Sequence, residues 1–255
     1  MSVINTNVKS LVAASALTVN ERFLATAMEQ LSTGKRINGA KDDAAGQGIA
    51  SRMTAQIRGL DQAVRNANDG ISMLQTADGA MEEVSNMLQR MRELSVQYNN
   101  DTNGSADLDA LSEEFTALKS EITRIGSSTL WNGETLFDSS GDIQVGANSG
   151  NTIEFSIDAL SVSGSVGNLS DLDTDIDNLN TSRSELGALI NRLTYASNNA
   201  LNVSQNTSVS RSRITDTDYA KTSAELARTQ IIQQAATAML AQANQSTQSV
   251  LALLK

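Results

Sequence analysis

Apolar residues recur at helical spacing along most of this chain. From about Asn7, one stripe runs Val12, Ala16, Val19, Phe23, Ala27 and a second runs Ala14, Leu17, Leu24, Leu31. A helix that is apolar on two sides needs more than one neighbour. Gly34 and the segment RINGAKDDAAG interrupt the pattern. From Met53 the spacing becomes heptad-like: Met53, Ile57, Leu60, Val64, Ala67, Ile71, Leu74, then, after one slip, Ala77, Met81, Val84, Leu88, Met91, closing at Leu94 and Tyr98. This predicts a helix of about 50 residues, roughly 75 Å long, whose seam other helices must cover. The stretch NNDTNGS reads as a turn. Ser105 is the expected N-cap of a third helix, with Asp107 and Asp109 in its first turn. Its seam is Leu108, Leu111, Phe115, Leu118, Ile122, Ile125, and the short connection makes it an antiparallel neighbour of the second.

Between Gly126 and Gly167 the helical period vanishes. DIQVGA (142–147) and TIEFSI (152–157) alternate apolar and polar residues around Asn148, Ser149, Gly150 and Asn151, which predicts a β-hairpin. Helical spacing returns at Leu169, Leu172, Ile176, Leu179 and continues to Val203. RSRITDTDYA (211–220) breaks it, and an alanine-rich last helix follows. That helix carries Ala224, Ala227, Ile231, Ala235, Ala238 on one face and Ile232, Ala236, Met239, Ala243 beside it. The expected fold is mainly α: an elongated antiparallel helical coiled-coil rod with a small β-hairpin module and paired N- and C-terminal helices. Its expected divisions are a terminal helix and linker over 1–42, a rod over 43–212 and a closing segment over 213–255. Within the rod, long helices are expected over 44–99, 105–126 and 169–210, with the hairpin region over 127–168.

Composition narrows the function. There is no proline, so nothing breaks very long helices, and aromatic residues make up only 3% of the chain. Histidine and cysteine are absent, which removes thiol nucleophiles, disulfides, His-containing triads and the usual zinc or iron ligand sets. No catalytic residue, metal or cofactor is therefore expected. A net charge of −10 argues against nucleic acid and anionic membranes as partners. The start has no basic n-region, and no later run approaches a membrane span.

Asp42 and Asp43 beside Lys35, Arg36 and Lys41 read as a solvated or salt-bridged linker rather than a catalytic pair. Asp171, Asp173, Asp175 and Asp177 imitate the opening of a calcium loop, but Ile176 stands where glycine is required and Ser182 where the bidentate glutamate is. The acids suit the dipole of the return helix instead. The unusual feature is the two ends. Both keep helical period, both are apolar on more than one face, and neither carries a Lys/Arg stripe for a membrane surface. Helices of this kind depend on partners for their burial.

Several long segments bear a resemblance to the bacterial flagellins: VINTN (3–7), RINGAKDDAAGQGIA (36–50), RNANDGIS (65–72), LQRMRELSVQ (88–97), SRITDTDYA (212–220), and LAQANQ with the VLALLK ending. The resemblance covers nearly the whole chain. It implies a structural subunit that self-assembles into the flagellar filament for swimming motility and performs no chemistry. It further implies export, unfolded and without a cleaved signal, through the flagellar type III apparatus, and polymerisation at the tip through paired terminal helices. Expected partners are the chain itself, a flagellar export chaperone, and hook-associated junction and cap proteins. Filament core packing is expected at Val12, Leu17, Phe23, Leu24, Leu31, Ile231, Ile232, Met239, Val250, Leu251, Leu253 and Leu254. Gln89, Arg90, Leu94 and Glu114 stand in matching context for a surface that packs subunits and meets a host Toll-like receptor; Arg90 and Leu94, four residues apart, share a helix face. The large outer domains of many flagellins are missing, since about 40 residues separate the central helices. A hook–filament junction protein, an enzyme-bearing flagellin and a soluble coiled-coil adaptor fit these features less well.

Overall fold

The computed structural model describes residues 6–252, with side chains through Gln245. The chain is mainly α. Among the described residues the helices are α1 (Val8–Thr33), α2 (Ala44–Tyr98), α3 (Ser105–Ser128), α4 (Leu169–Thr215) and α5 (Tyr219–Ala252). The strands are β1 (Leu130–Trp131), β2 (Glu134–Thr135), β3 (Ser139–Gln144) and β4 (Thr152–Ile157). Two compact units result: Met1–Thr54 with Ser208–Lys255, and Ala55–Thr207.

In the second unit, α2 and α4 run antiparallel, because side-chain rungs between them pair rising numbers with falling ones. Ser204 Oγ donates to Asp61 at 2.9 Å, Arg183 Nε to Asp78 at 2.8 Å and Arg92 Nε to Asp173 at 2.6 Å. The apolar seams meet between these rungs. Leu74, Ala77, Met81, Val84, Leu88 and Met91 of α2 are buried, as are Leu172, Leu179, Leu186 and Leu193 of α4 at seven-residue intervals. Leu111, Phe115 and Ile122 of α3 join the same core. Antiparallel β3 and β4 place Ile143 opposite Ile153, and both are buried with Ile157 in that core. The hairpin approaches α2 so closely that a Cβ on Gly70 would lie 2.6 Å from Ile143 Cδ1, so a larger residue there would make the Ile143 side chain shift.

Three local expectations change. The first strand of the hairpin lies three residues earlier than its alternation suggested, leaving a loop over 145–151 in place of four turn residues. A second hairpin, β1–β2, turns on Asn132 (φ 51°) and Gly133 (φ 90°), a two-residue turn of left-handed residues. Gly104, not Ser105, caps α3, and its N–H donates to Asp107 Oδ2 at 3.1 Å.

Ser95 lies wholly buried in the seam of α2, and its Oγ finds no hydrogen-bond partner among the described residues. A buried hydroxyl left unpaired costs about 1–3 kcal/mol. Ser95→Ala should therefore raise the stability of the second unit by about 1 kcal/mol in urea unfolding.

In the first unit, α1 and α5 are antiparallel neighbours. Asn7 Nδ2 donates to Ala243 O at 3.0 Å and Asn20 Nδ2 to Thr229 O at 2.8 Å. At the other end the backbones of Lys35 and Asp216 form an isolated antiparallel β-bridge, and Arg36 N donates to Thr215 O at 2.7 Å. Gly34 ends α1 at φ 69°, the left-handed conformation that suits glycine at a helix C-terminus. The expected break over 211–220 shrinks to residues 216–218. Nothing before Asp216 stops the helix, and Thr215 Oγ1 bonds back to Arg211 O, so α4 runs on to Thr215.

Candidate functional site

Of the apolar stripes on α1, the helix pair uses one. Leu17, Asn20, Leu24, Ala27 and Leu31 form the buried or half-buried side of α1, and Thr222, Leu226, Thr229, Ala236 and Leu240 that of α5. This seam is weak for its length. Asn20 is 6% exposed and Thr229 only 2%, so two polar residues occupy its centre. Each is satisfied, Asn20 by the Thr229 carbonyl and the Thr229 hydroxyl by Glu225 O and Leu226 O at 2.9 Å. They add far less burial than a pair of leucines would.

The other stripe stays open. Val12 is 65% exposed and Met239 66%, and Val8, Val19, Phe23 and Ile231 are exposed too. Val8, Val12 and Ala16 of α1 stand beside Ile232, Ala235 and Met239 of α5, lining an open apolar groove of about 820 Å³. A second stretch of about 750 Å³ continues it past Val19 and Phe23. Glu225 and Arg228 line part of this second stretch as well. Single exposed apolar side chains are ordinary, but a row of them along a groove is the kind of surface that partners cover.

The candidate carboxylates make structure. Asp42 Oδ2 accepts the N–H groups of Asn38 and Gly39, both at 3.0 Å, and Asp43 caps α2 by accepting from Gly46 N at 2.8 Å. The alternating aspartates part company. Asp171 pairs with Asn168, Asp173 with Arg92, and Asp175 accepts from Ser163 and Gly164. Asp216, missed by the sequence reading, closes the linker. The Ser212 hydroxyl donates to it, with Thr215 and the charges of Arg211 and Lys35 adding, and this holds its carboxyl below the ordinary range.

Comparison with known proteins decides what such a groove belongs to. The model described as the bacterial flagellin N-terminal helical region matches residues 4–142, and that of the bacterial flagellin C-terminal helical region matches residues 169–254. Flagellin of Halalkalibacterium halodurans is 45% identical, covering 99% of this chain and 100% of its own. The chain belongs to the bacterial flagellins. Flagellin of Xenorhabdus nematophila is 41% identical over 100% of this chain and 99% of its own. The crystal structure of Bacillus cereus flagellin aligns with 53% of this chain and 88% of its own, at 32% identity and a TM-score of 0.48.

This flagellin is thus a structural subunit of the flagellar filament, an extracellular homopolymer, and not an enzyme. No helix among the described residues is long and apolar enough to cross a membrane. Leu17, Leu24 and Leu31 lie half-buried against α5, while Val12, Phe23, Ile231, Ile232 and Met239 face outward. Val250, Leu251, Leu253 and Leu254 fall outside the described side chains. On the second unit, Gln89, Arg90 and Glu114 are exposed, and Arg90 Nε donates to Glu114 at 2.9 Å. Leu94 does not share that surface. It is 1% exposed and packs in the core, because the straight helix turns 3.6 residues per turn and carries position 94 into the seam beside Met91. A partner that touches Arg90 from solvent cannot reach the Leu94 side chain.

Proposed function

We propose that the α1–α5 groove is the surface through which flagellin copies join, with residues 1–42 and 213–255 acting as one inner core domain and residues 43–212 as a rod domain. The observation that carries this reading is the exposed apolar row of Val8, Val12, Val19 and Phe23 beside Ile232 and Met239. Charge supports it. The first unit has eleven Lys and Arg against seven Asp and Glu, while the second has eight against twenty-two. The acidity that keeps free chains apart is therefore carried by the unit without the groove. Contact between unlike surfaces of identical copies gives an open helical polymer rather than a closed dimer.

On this reading Val12, Leu17, Phe23, Leu24, Leu31, Ile231, Ile232 and Met239 supply the packing, and Val250, Leu251, Leu253 and Leu254 extend it toward the C-terminus. Export proceeds through the flagellar type III apparatus, with a chaperone holding the C-terminal helix until assembly beneath the cap. Junction proteins meet the same helices at the filament base. Gln89, Arg90 and Glu114 form the outward surface open to a Toll-like receptor, with Leu94 supporting it from beneath. Purified chain added to sheared filament fragments should elongate them under the electron microscope. A chain lacking Leu251–Lys255 should not; normal elongation by that truncated chain overturns the assignment of packing to the terminal helices.

A further inference from the structure

The chain contains three Asn–Gly pairs, Asn38–Gly39, Asn103–Gly104 and Asn132–Gly133. In such a pair the glycine backbone nitrogen, once deprotonated, attacks the asparagine Cγ. The N–Cγ bond forms, the Cγ–Nδ2 bond breaks and ammonia leaves, giving a cyclic succinimide. Water then opens either carbonyl of the ring, yielding aspartate or isoaspartate. The reaction needs a free glycine N–H, a movable asparagine amide and water.

The fold treats the three pairs differently. Asn38 Nδ2 donates to Lys35 O at 3.1 Å, and Gly39 N donates to Asp42 Oδ2 at 3.0 Å. Asn103 Nδ2 donates to Gln97 O at 2.6 Å, and Gly104 N donates to Asp107 Oδ2 at 3.1 Å. In both pairs the leaving amide is tied down, and a carboxylate faces the nitrogen that must become anionic. A neighbouring negative charge disfavours that ionisation. At Asn132 and Gly133 neither the side-chain amide nor the glycine N–H donates to any partner among the described residues, and both residues are exposed. They form the turn between strands of only two residues each, and so short a hairpin opens at little cost.

We infer that Asn132 is a site of spontaneous conversion to aspartate and isoaspartate in the folded protein, and that the Asp42 and Asp107 carboxylates protect the other two pairs. Conversion to aspartate adds a negative charge beside Glu134. Conversion to isoaspartate lengthens the main chain by one carbon at a residue held at φ 51° and breaks the Trp131–Glu134 pairing.

The test incubates the full-length protein at mildly alkaline pH, folded and in denaturant, and follows each pair by peptide mass spectrometry that resolves isoaspartate. In the folded protein Asn132 should convert about tenfold faster than Asn38 or Asn103, the spread that a difference in local opening produces. In denaturant the three rates should draw together. Asp107→Asn should accelerate conversion at Asn103 in the folded chain and leave Asn132 unchanged. Equal folded-state rates at the three pairs, or a ratio unaltered by denaturant, would overturn the inference.

Discussion

Val12→Asp should stop elongation of filament fragments while leaving the unfolding of residues 55–207 where it is in the parent chain. Val12 is exposed in the free subunit, so an aspartate there meets water and costs the subunit little. Where copies join through the α1–α5 groove as proposed, the same position, beside Ile232 and Met239, becomes covered. Covering an unpaired carboxylate with apolar surface costs about 4 kcal/mol or more at each contact. That corresponds to a rise of roughly a thousandfold in the protein concentration needed for growth. The measurement pairs seeded elongation, read by light scattering and electron microscopy, with urea unfolding of the same sample. Undiminished elongation by Val12→Asp would remove the groove from the subunit contact.

Leu193→Ala has the opposite profile. Leu193 is fully buried in α4, and its Cδ1 lies 3.4 Å from the position a Cβ would take on Gly70 of α2. Truncating a leucine so enclosed removes transfer free energy and leaves a cavity that rigid helices cannot close, a loss of roughly 3–4 kcal/mol. The second unit should lose that amount in urea unfolding, with no change in slope. A loss below about 1 kcal/mol would mean that the seam relaxes around the gap.

The sequence made the second unit legible because its helices are apolar on one face. The heptad series from Leu74 to Met91 is buried as its spacing demands. Leu94 belongs to two readings, the end of the seam and the Arg90 surface, and its burial follows the seam, since two residues four apart are neighbours on a helix, yet one can lie at the edge of a seam and the other inside it. The polar members of the seams gave no signal: Ser95, Asn20 and Thr229 are buried through the residues around them, not through their own hydropathy. The β1–β2 turn did have a signal, Asn132–Gly133, but strands of two residues are too short to show alternation. In the first unit both apolar stripes of α1 could be read, whereas their roles could not. Spacing alone cannot tell the stripe that covers α5, through Leu17, Leu24 and Leu31, from the one left open through Val12 and Phe23. The choice depends on the matching face of a helix some two hundred residues away.

That separation governs the order of events when the chain folds. Asn20 and Thr229 are 209 residues apart, and Asn7 and Ala243 are 236 apart. Pairing across such a span closes nearly the longest loop the chain allows, so α1 and α5 meet late, after contacts of the second unit have shortened the path between them. Until then each terminal helix lacks its partner, and the groove, which takes one wall from each, does not exist. Any molecule that occupies α5 first keeps α1 single as well. On the proposed reading of that groove, one early contact at the C-terminal helix delays the whole joining surface, and a chain still being made does not polymerise before its last helix is free.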